Sequence, residues 1–145
     1  MTNAHARFDA LACWFETLEP VGLDDIESIY HDTAVFRDPF NAVVGVRAIR
    51  AIYQHMFSTL LQPRFIVTGK LVEGRACMMT WQFLFQKGKN AYTIEGCTHF
   101  ELNAQGLIVL HRDYWDAAQE LYEKIPLLGA VLRWLRSKLA TTVAT

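Results

Sequence analysis

The chain has little excess of either charge, with 14 Lys plus Arg against 15 Asp plus Glu, so it lacks the basic field that a nucleic-acid binder uses to neutralise phosphates. No nucleic-acid partner is expected. Cysteine is scarce and odd in number: Cys13, Cys77 and Cys97 stand far apart, which excludes a disulfide framework and a Cys-type zinc site. All three are expected as reduced, mostly buried, small apolar side chains. No apolar run approaches the roughly 20 residues of a membrane span, and the opening Met1-Thr2-Asn3-Ala4-His5-Ala6-Arg7 contains no signal-peptide core, so a cytoplasmic protein is predicted. Gly-rich phosphate loops and Ser nucleophile motifs are absent. His5, His31, His55, His99 and His111 are scattered without the paired spacing of a ligand motif, so neither a metal nor a cofactor is expected.

What the chain does have is apolar material: 52% of its 145 residues, enough for one core at the usual size of one domain. Phe8, Leu11, Ala12, Phe15 and Leu18 recur at helical spacing and predict a first helix over 4–18, stopped by Pro20 and Gly22. Asp24 can cap a short helix over 25–31 that carries Ile26, Ile29 and Tyr30 inward, and 33–38 reads as a brief strand ended by Pro39. Gly45 opens a third helix to about Leu60, and Pro63 closes it. The period then changes to alternation. Strands are predicted over 64–72, 75–86, 91–102 and 107–115, joined by short turns into an antiparallel meander. Helices first and strands later give an α+β fold. Pro126 breaks a returning helical pattern, 127–139 forms a last amphipathic helix, and 140–145 frays. One domain over 1–145 is expected, with a core at about 8–116 and a helical extension at 117–140.

This order of elements, with Phe36-Arg37-Asp38-Pro39-Phe40, then Gly45-Val46-Arg47-Ala48-Ile49, then His111-Arg112-Asp113-Tyr114-Trp115-Asp116, resembles the nuclear transport factor 2-like superfamily. That group holds SnoaL-like polyketide cyclases, ketosteroid isomerases and limonene-epoxide hydrolases. The resemblance covers about 8–116 and implies a curved sheet wrapped by helices into a cone around a largely apolar cavity. It places Asp38 where the isomerases carry a proton-shuttling Asp, a role that a carboxylate in an apolar pocket can fill because desolvation raises its pKa. Asp before Pro is also a common turn device, so the alternative for Asp38 is a cap on its own loop.

The isomerase pattern fails at its oxygen donors, because Trp14 stands near the Tyr position and Thr98 at the second acid. The epoxide-hydrolase pattern keeps Asp113 but puts Thr80 and Gln82 where an Arg and an Asp are required. Both activities in their family form are therefore disfavoured. Alternation from Thr98 turns Tyr92, Ile94, Gly96 and Phe100 inward, and the match turns His111, Asp113 and Trp115 inward on the last strand. On the middle strand the expected inward set is Thr80, Gln82 and Leu84; a one-residue slip would exchange it for Trp81, Phe83 and Phe85. The candidate catalytic residues are Asp38 as base, and Asp113 as acid or as orienter of His111. The candidate substrate-binding residues are Trp14, Tyr30, Tyr53, Met56, Phe57, Gln82, Thr98 and Trp115. A core hydrogen-bond network without chemistry is the alternative for His111 and Asp113.

Two functions compete: a cofactor-free isomerase, cyclase or hydrolase acting on a small hydrophobic molecule, and a ligand-binding or protein-interaction module. A greasy convex face made by Trp81, Phe83, Phe85 and Tyr114 predicts a homodimer, as the resemblance also implies. The final helix, with Arg133, Arg136 and Lys138 opposite its leucines, can serve as lid, as dimer arm or as membrane-surface contact.

Overall fold

Helical spacing places Phe8, Leu11, Ala12 and Phe15 on one side of α1 (Ala4–Glu16), and all four are buried. Asn3 starts this helix by accepting the amide of His5. These coordinates come from a computed structural model, which describes residues 3–121 and 127–140. After Pro20 the chain forms a 3₁₀ segment (Pro20–Ser28) in place of the predicted helix over 25–31. Strand β1 (Tyr30–Arg37) starts three residues earlier than predicted, because the Ile29 carbonyl accepts the Ile108 amide and Tyr30 pairs with Ile108. Tyr30 is thus a strand residue. A short β2 (Ala42–Val44), not foreseen in the sequence, turns back on β1, and α2 (Val46–Thr59) buries Val46, Ile49 and Tyr53.

The predicted meander follows as β3 (Leu61–Glu73), β4 (Ala76–Lys87), β5 (Asn90–Leu102) and β6 (Ile108–Tyr114). Pro63 lies inside β3, which a strand at the sheet edge tolerates. The six strands form one curved, open sheet in the order β2-β1-β6-β5-β4-β3, antiparallel except for the β1–β6 pair. Irregular pairing on β3, between Leu61 and Arg64 and between Val67 and Gly69, adds the local bends expected at bulges. The inner face of the sheet shares one apolar cluster with α1 and α2, in which Phe8, Leu11, Ile26, Ile49 and Ile108 are fully buried.

Register on β4 corrects the expected inward set. Lys87 pairs with Asn90, so Gly88 and Lys89 alone make the turn, with Gly88 at φ 61°. Met79 then stands opposite Thr98, and Trp81 opposite Gly96. Trp81 and Phe85 are buried on the inner face with Phe83 beside them, while Thr80, Gln82 and Leu84 take the outer face. The greasy convex surface expected from Trp81, Phe83 and Phe85 is therefore not there. Of that set only Tyr114 is outside, its ring under the Arg112 guanidinium at 4.9 Å. The outer face is instead laced by polar pairs, Thr68 with Thr80 and Gln82 with Glu95.

The chain divides into two compact units, Met1–Tyr114 and Trp115–Thr145. The second contains α3 (Ala117–Glu120), capped by the Asp116 carboxylate accepting the Gln119 amide, and α4 (Leu128–Leu139). Leu128, Val131, Trp134 and Leu135 on α4 are each about half exposed. The break predicted at Pro126 and the tail over 141–145 fall outside the described residues. No helix among the described residues is long and apolar enough to cross a membrane.

Candidate functional site

Antiparallel pairing of β5 with β6 sets Thr98 opposite Asp113 and Phe100 opposite His111, so alternation brings all four to the inner face. Thr98 and His111 are buried, at 2% and 4% exposure, and buried polar groups require partners. They have them. Asp113 Oδ1 accepts the Thr98 hydroxyl at 2.5 Å and stands 2.8 Å from His111 Nε2. On the other side of the ring, His111 Nδ1 lies 2.7 Å from the Tyr30 hydroxyl, which lies 2.8 Å from that of Tyr53. The Trp81 indole donates to Thr98 Oγ1 at 2.8 Å. Six side chains from β1, α2, β4, β5 and β6 thus form one hydrogen-bonded chain: Tyr53, Tyr30, His111, Asp113, Thr98, Trp81.

Gly96 makes the Trp81 end possible. A Cβ on Gly96 would sit 2.5 Å from the indole of Trp81, so only glycine lets the ring lie across β5 and reach Thr98 two residues on. The rest of the site is aromatic. The His111 ring has Phe36 at 4.5 Å, Phe100 at 4.8 Å and Phe15 at 6.0 Å between centroids, and Trp14 meets Tyr53 edge-on.

Proton counting gives the chain an order. An indole N–H can only donate, so Thr98 accepts from Trp81 and spends its own proton on Asp113. Burial pushes both tyrosines well above their ordinary pKa, and the charge of Asp113 adds to the shift in each, so both stay neutral phenols. Asp113 Oδ1 is held by two side chains, whereas Oδ2 receives no hydrogen bond among the described residues. With 16% of its side chain exposed, Asp113 is the most accessible ionisable group in the chain of bonds. The arrangement can orient a carboxylate, present its free oxygen, and carry protons behind it.

Asp38 is placed differently. Its Oδ1 accepts the amides of Phe40 and Asn41 at 2.7 and 2.6 Å, and the Asn41 side-chain amide spans both carboxylate oxygens at 3.1 Å. Its own amide donates to the Asn41 carbonyl, closing the loop. The turn reading of Asp38 therefore holds, and Asp38 makes no hydrogen bond to the His111–Asp113 pair. It remains close enough to Tyr53 for its charge to contribute to that residue's raised pKa. Of the other expected site residues, Tyr30, Tyr53 and Thr98 join the chain, and Trp14, Met56 and Phe57 pack against the core as partly buried neighbours. Gln82 is a correction: it lies on the outer face and donates to Glu95 at 3.2 Å. Trp115 belongs to the second unit. Trp81, which the sequence reading expected on the outer face unless the strand slipped by one residue, is the member of the chain absent from the expected site. A groove of about 550 Å³ runs past Leu23, Arg50 and Phe57, between the 3₁₀ segment and α2, and none of its lining residues belongs to the hydrogen-bonded chain. Among the described residues no group of three or more His, Cys, Asp or Glu side chains could hold a metal ion.

Known proteins agree with this architecture. An LEH-like epoxide hydrolase of M. tuberculosis superposes with a TM-score of 0.66 at 18% identity, covering 94% of each chain. A provisionally assigned SnoaL-like polyketide cyclase of Shewanella putrefaciens CN-32 gives a TM-score of 0.68 at 16% identity, over 83% of this chain and 94% of that one. An NTF2-like protein of unknown function from Burkholderia pseudomallei K96243 gives 0.69 at 12% identity, over 82% and 95%. At such identities the likeness is one of fold. No curated protein matches. The family model for the SnoaL-like domain matches residues 11–111, more than half of the chain, and the protein belongs to that family.

Proposed function

We propose that the protein is a cofactor-free acid–base catalyst for a small apolar molecule, of the isomerase, cyclase or hydrolase type, with Asp113 as the group that takes and returns the proton. The observation that carries this reading is the division of labour on one carboxylate: Oδ1 is held by His111 and Thr98, and Oδ2 receives no hydrogen bond from the described residues. A carboxylate fixed in this way needs no reorganisation to take a proton from an activated C–H bond or from water. The apolar side chains nearby, Trp14, Phe15 and Phe36, suit a hydrophobic substrate and leave its polar atoms to the side-chain chain. An epoxide hydrolase and a cyclase among proteins of the same fold support chemistry on small molecules.

The test is a panel of apolar epoxides and enolisable ketones, styrene oxide and 2-tetralone among them, followed in D₂O by mass spectrometry for diol formation and for deuterium at carbon. Binding is followed separately by tryptophan fluorescence. The wild type is expected to turn over one class, and Asp113→Asn to lose at least about 100-fold in rate while still binding. Turnover that survives Asp113→Asn contradicts the proposal. One observation favours a second reading, a binding module without chemistry: among the described residues no fully buried polar side-chain atom lacks a partner, so the network is complete without a substrate. That reading expects bound probes to stay unchanged in both proteins.

A further inference from the structure

The hydrogen-bonded chain has a direction, and we infer that this direction reverses when the His111–Asp113 pair takes up one proton, making Tyr30 and Tyr53 a relay that links the far hydroxyl to the load on Asp113. The inference rests on the acid–base reading of the pair, but its test needs no substrate.

Consider the pair with one shared proton. The carboxylate can only accept, so the imidazole proton sits on Nε2 and points along the 2.8 Å bond to Asp113 Oδ1. Nδ1 is then bare, Tyr30 must donate to it across 2.7 Å, and the Tyr30 oxygen accepts from Tyr53 across 2.8 Å. Every O–H and N–H in the relay points toward Asp113. Now add one proton. The added proton goes to the ring rather than to Asp113 Oδ2, where it would leave the relay unturned: either His111 carries both ring protons beside a carboxylate, or the Nε2 proton crosses to Asp113 Oδ1 and leaves a neutral ring. In both cases Nδ1 bears a hydrogen, so Tyr30 accepts from it, turns its own hydrogen to Tyr53, and releases the Tyr53 hydroxyl from its donation to Tyr30.

The hops balance. A proton from water enters at the Tyr53 oxygen, the Tyr53 hydrogen moves to Tyr30, the Tyr30 hydrogen moves to Nδ1, and no bond other than O–H and N–H changes. Both phenols are neutral before and after, as their burial requires. Among the described residues, strand β1 supplies Tyr30 and leads into Asp38, α2 supplies Tyr53, β5 supplies Thr98 and Cys97, β4 supplies Trp81, and α1 presents the rings of Trp14 and Phe15. Among the described residues no Lys or Arg makes a hydrogen bond to a member of the chain. The relay therefore lies between two carboxylates, Asp113 at one end and Asp38 within electrostatic reach of the other. Tyr30 and Tyr53 act as positioning residues.

Long-range ¹H–¹⁵N correlation spectra of ¹⁵N-histidine-labelled protein read the state of each ring nitrogen, with His111 assigned through its contacts to the Phe36 and Phe100 rings. While the pair shares one proton, Nε2 is expected protonated and Nδ1 bare; once acidification has loaded the pair with a second proton, Nδ1 is expected to carry a hydrogen. Tyr30→Phe removes both the donor to bare Nδ1 and the acceptor of the new N–H, and is expected to move the Nδ1 chemical shift in both states. Nδ1 protonated at the alkaline end, Nδ1 bare at the acid end, or an Nδ1 signal unmoved in Tyr30→Phe at both ends overturns the inference. Should that variant fail to fold, the wild-type titration decides alone. The relay can fail here while Asp113→Asn still abolishes turnover, and the converse, so the two claims fall separately.

Discussion

Asp38 and Asp113 are the same residue type in one unit of the protein, and their hydrogen-bond surroundings are opposite in kind. Asp38 takes its donors from the next three residues, two backbone amides and the side chain of Asn41. Asp113 takes its donors from side chains 15 and two residues away, Thr98 and His111, delivered by the β5–β6 pairing. A carboxylate that satisfies itself locally fastens a turn. One that depends on side chains from across the sheet ties strands together and keeps an oxygen for other work.

The sharpest way to break this comparison is truncation of each carboxylate, read by urea unfolding. Asp113→Ala strands His111 and the Thr98 hydroxyl and should cost about 3 kcal/mol, against about 1 kcal/mol for Asp38→Ala, whose loop amides can turn to water. Similar costs for the two would erase the distinction. Next in size is Gly96→Ala, which touches neither acid. Its new methyl would meet the Trp81 ring, and overpacking of this kind should cost about 2 kcal/mol and release Thr98 from its indole donor. A fully stable Gly96→Ala protein with unchanged tryptophan fluorescence would mean that Trp81 does not hold the network. The smallest effect appears in alkali. Burial raises Tyr53 above its ordinary 10.0, so the folded state holds that proton more tightly than the unfolded state. Stability from this source is complete below about pH 10 and falls as the pH rises past it; Tyr53→Phe should flatten the fall by about 1.4 kcal/mol per pH unit. Unfolding curves at about pH 9 and about pH 11 measure it, and equal slopes in the two proteins would show that Tyr53 is not buried as a neutral phenol.

The sequence was informative where periodicity and punctuation agree. α1, α2 and the four-strand meander follow from spacing and from Gly and Pro positions, and the inward set on β5 and β6 follows from alternation. β4 defeated that reasoning because alternation alone does not fix which of two faces is inner when both carry apolar residues. The decisive sign was the Gly88-Lys89 turn. A hairpin centred there pairs odd-numbered positions of β4 with even-numbered ones of β5 whether two or four residues are counted in the loop, and Thr98 then places Trp81 inside. A glycine on β5 opposite a tryptophan points the same way. Tyr30 was given to a helix because its pairing partner on β6 lies 78 positions on, beyond the reach of local propensity. The relay from Tyr53 to His111 could not be read at all, since it depends on the relative depth of α2 and β1, which no local pattern encodes. For Asp38 both roles were visible, and the two amides that follow Pro39 show the turn role.

The central claim is tested most directly by measuring turnover of one responsive probe by Asp38→Asn and Asp113→Asn side by side, with binding checked in both. The account predicts that Asp113→Asn falls by at least about 100-fold and that Asp38→Asn stays within about threefold of the wild type. Loss of turnover in Asp38→Asn with activity retained in Asp113→Asn would contradict it.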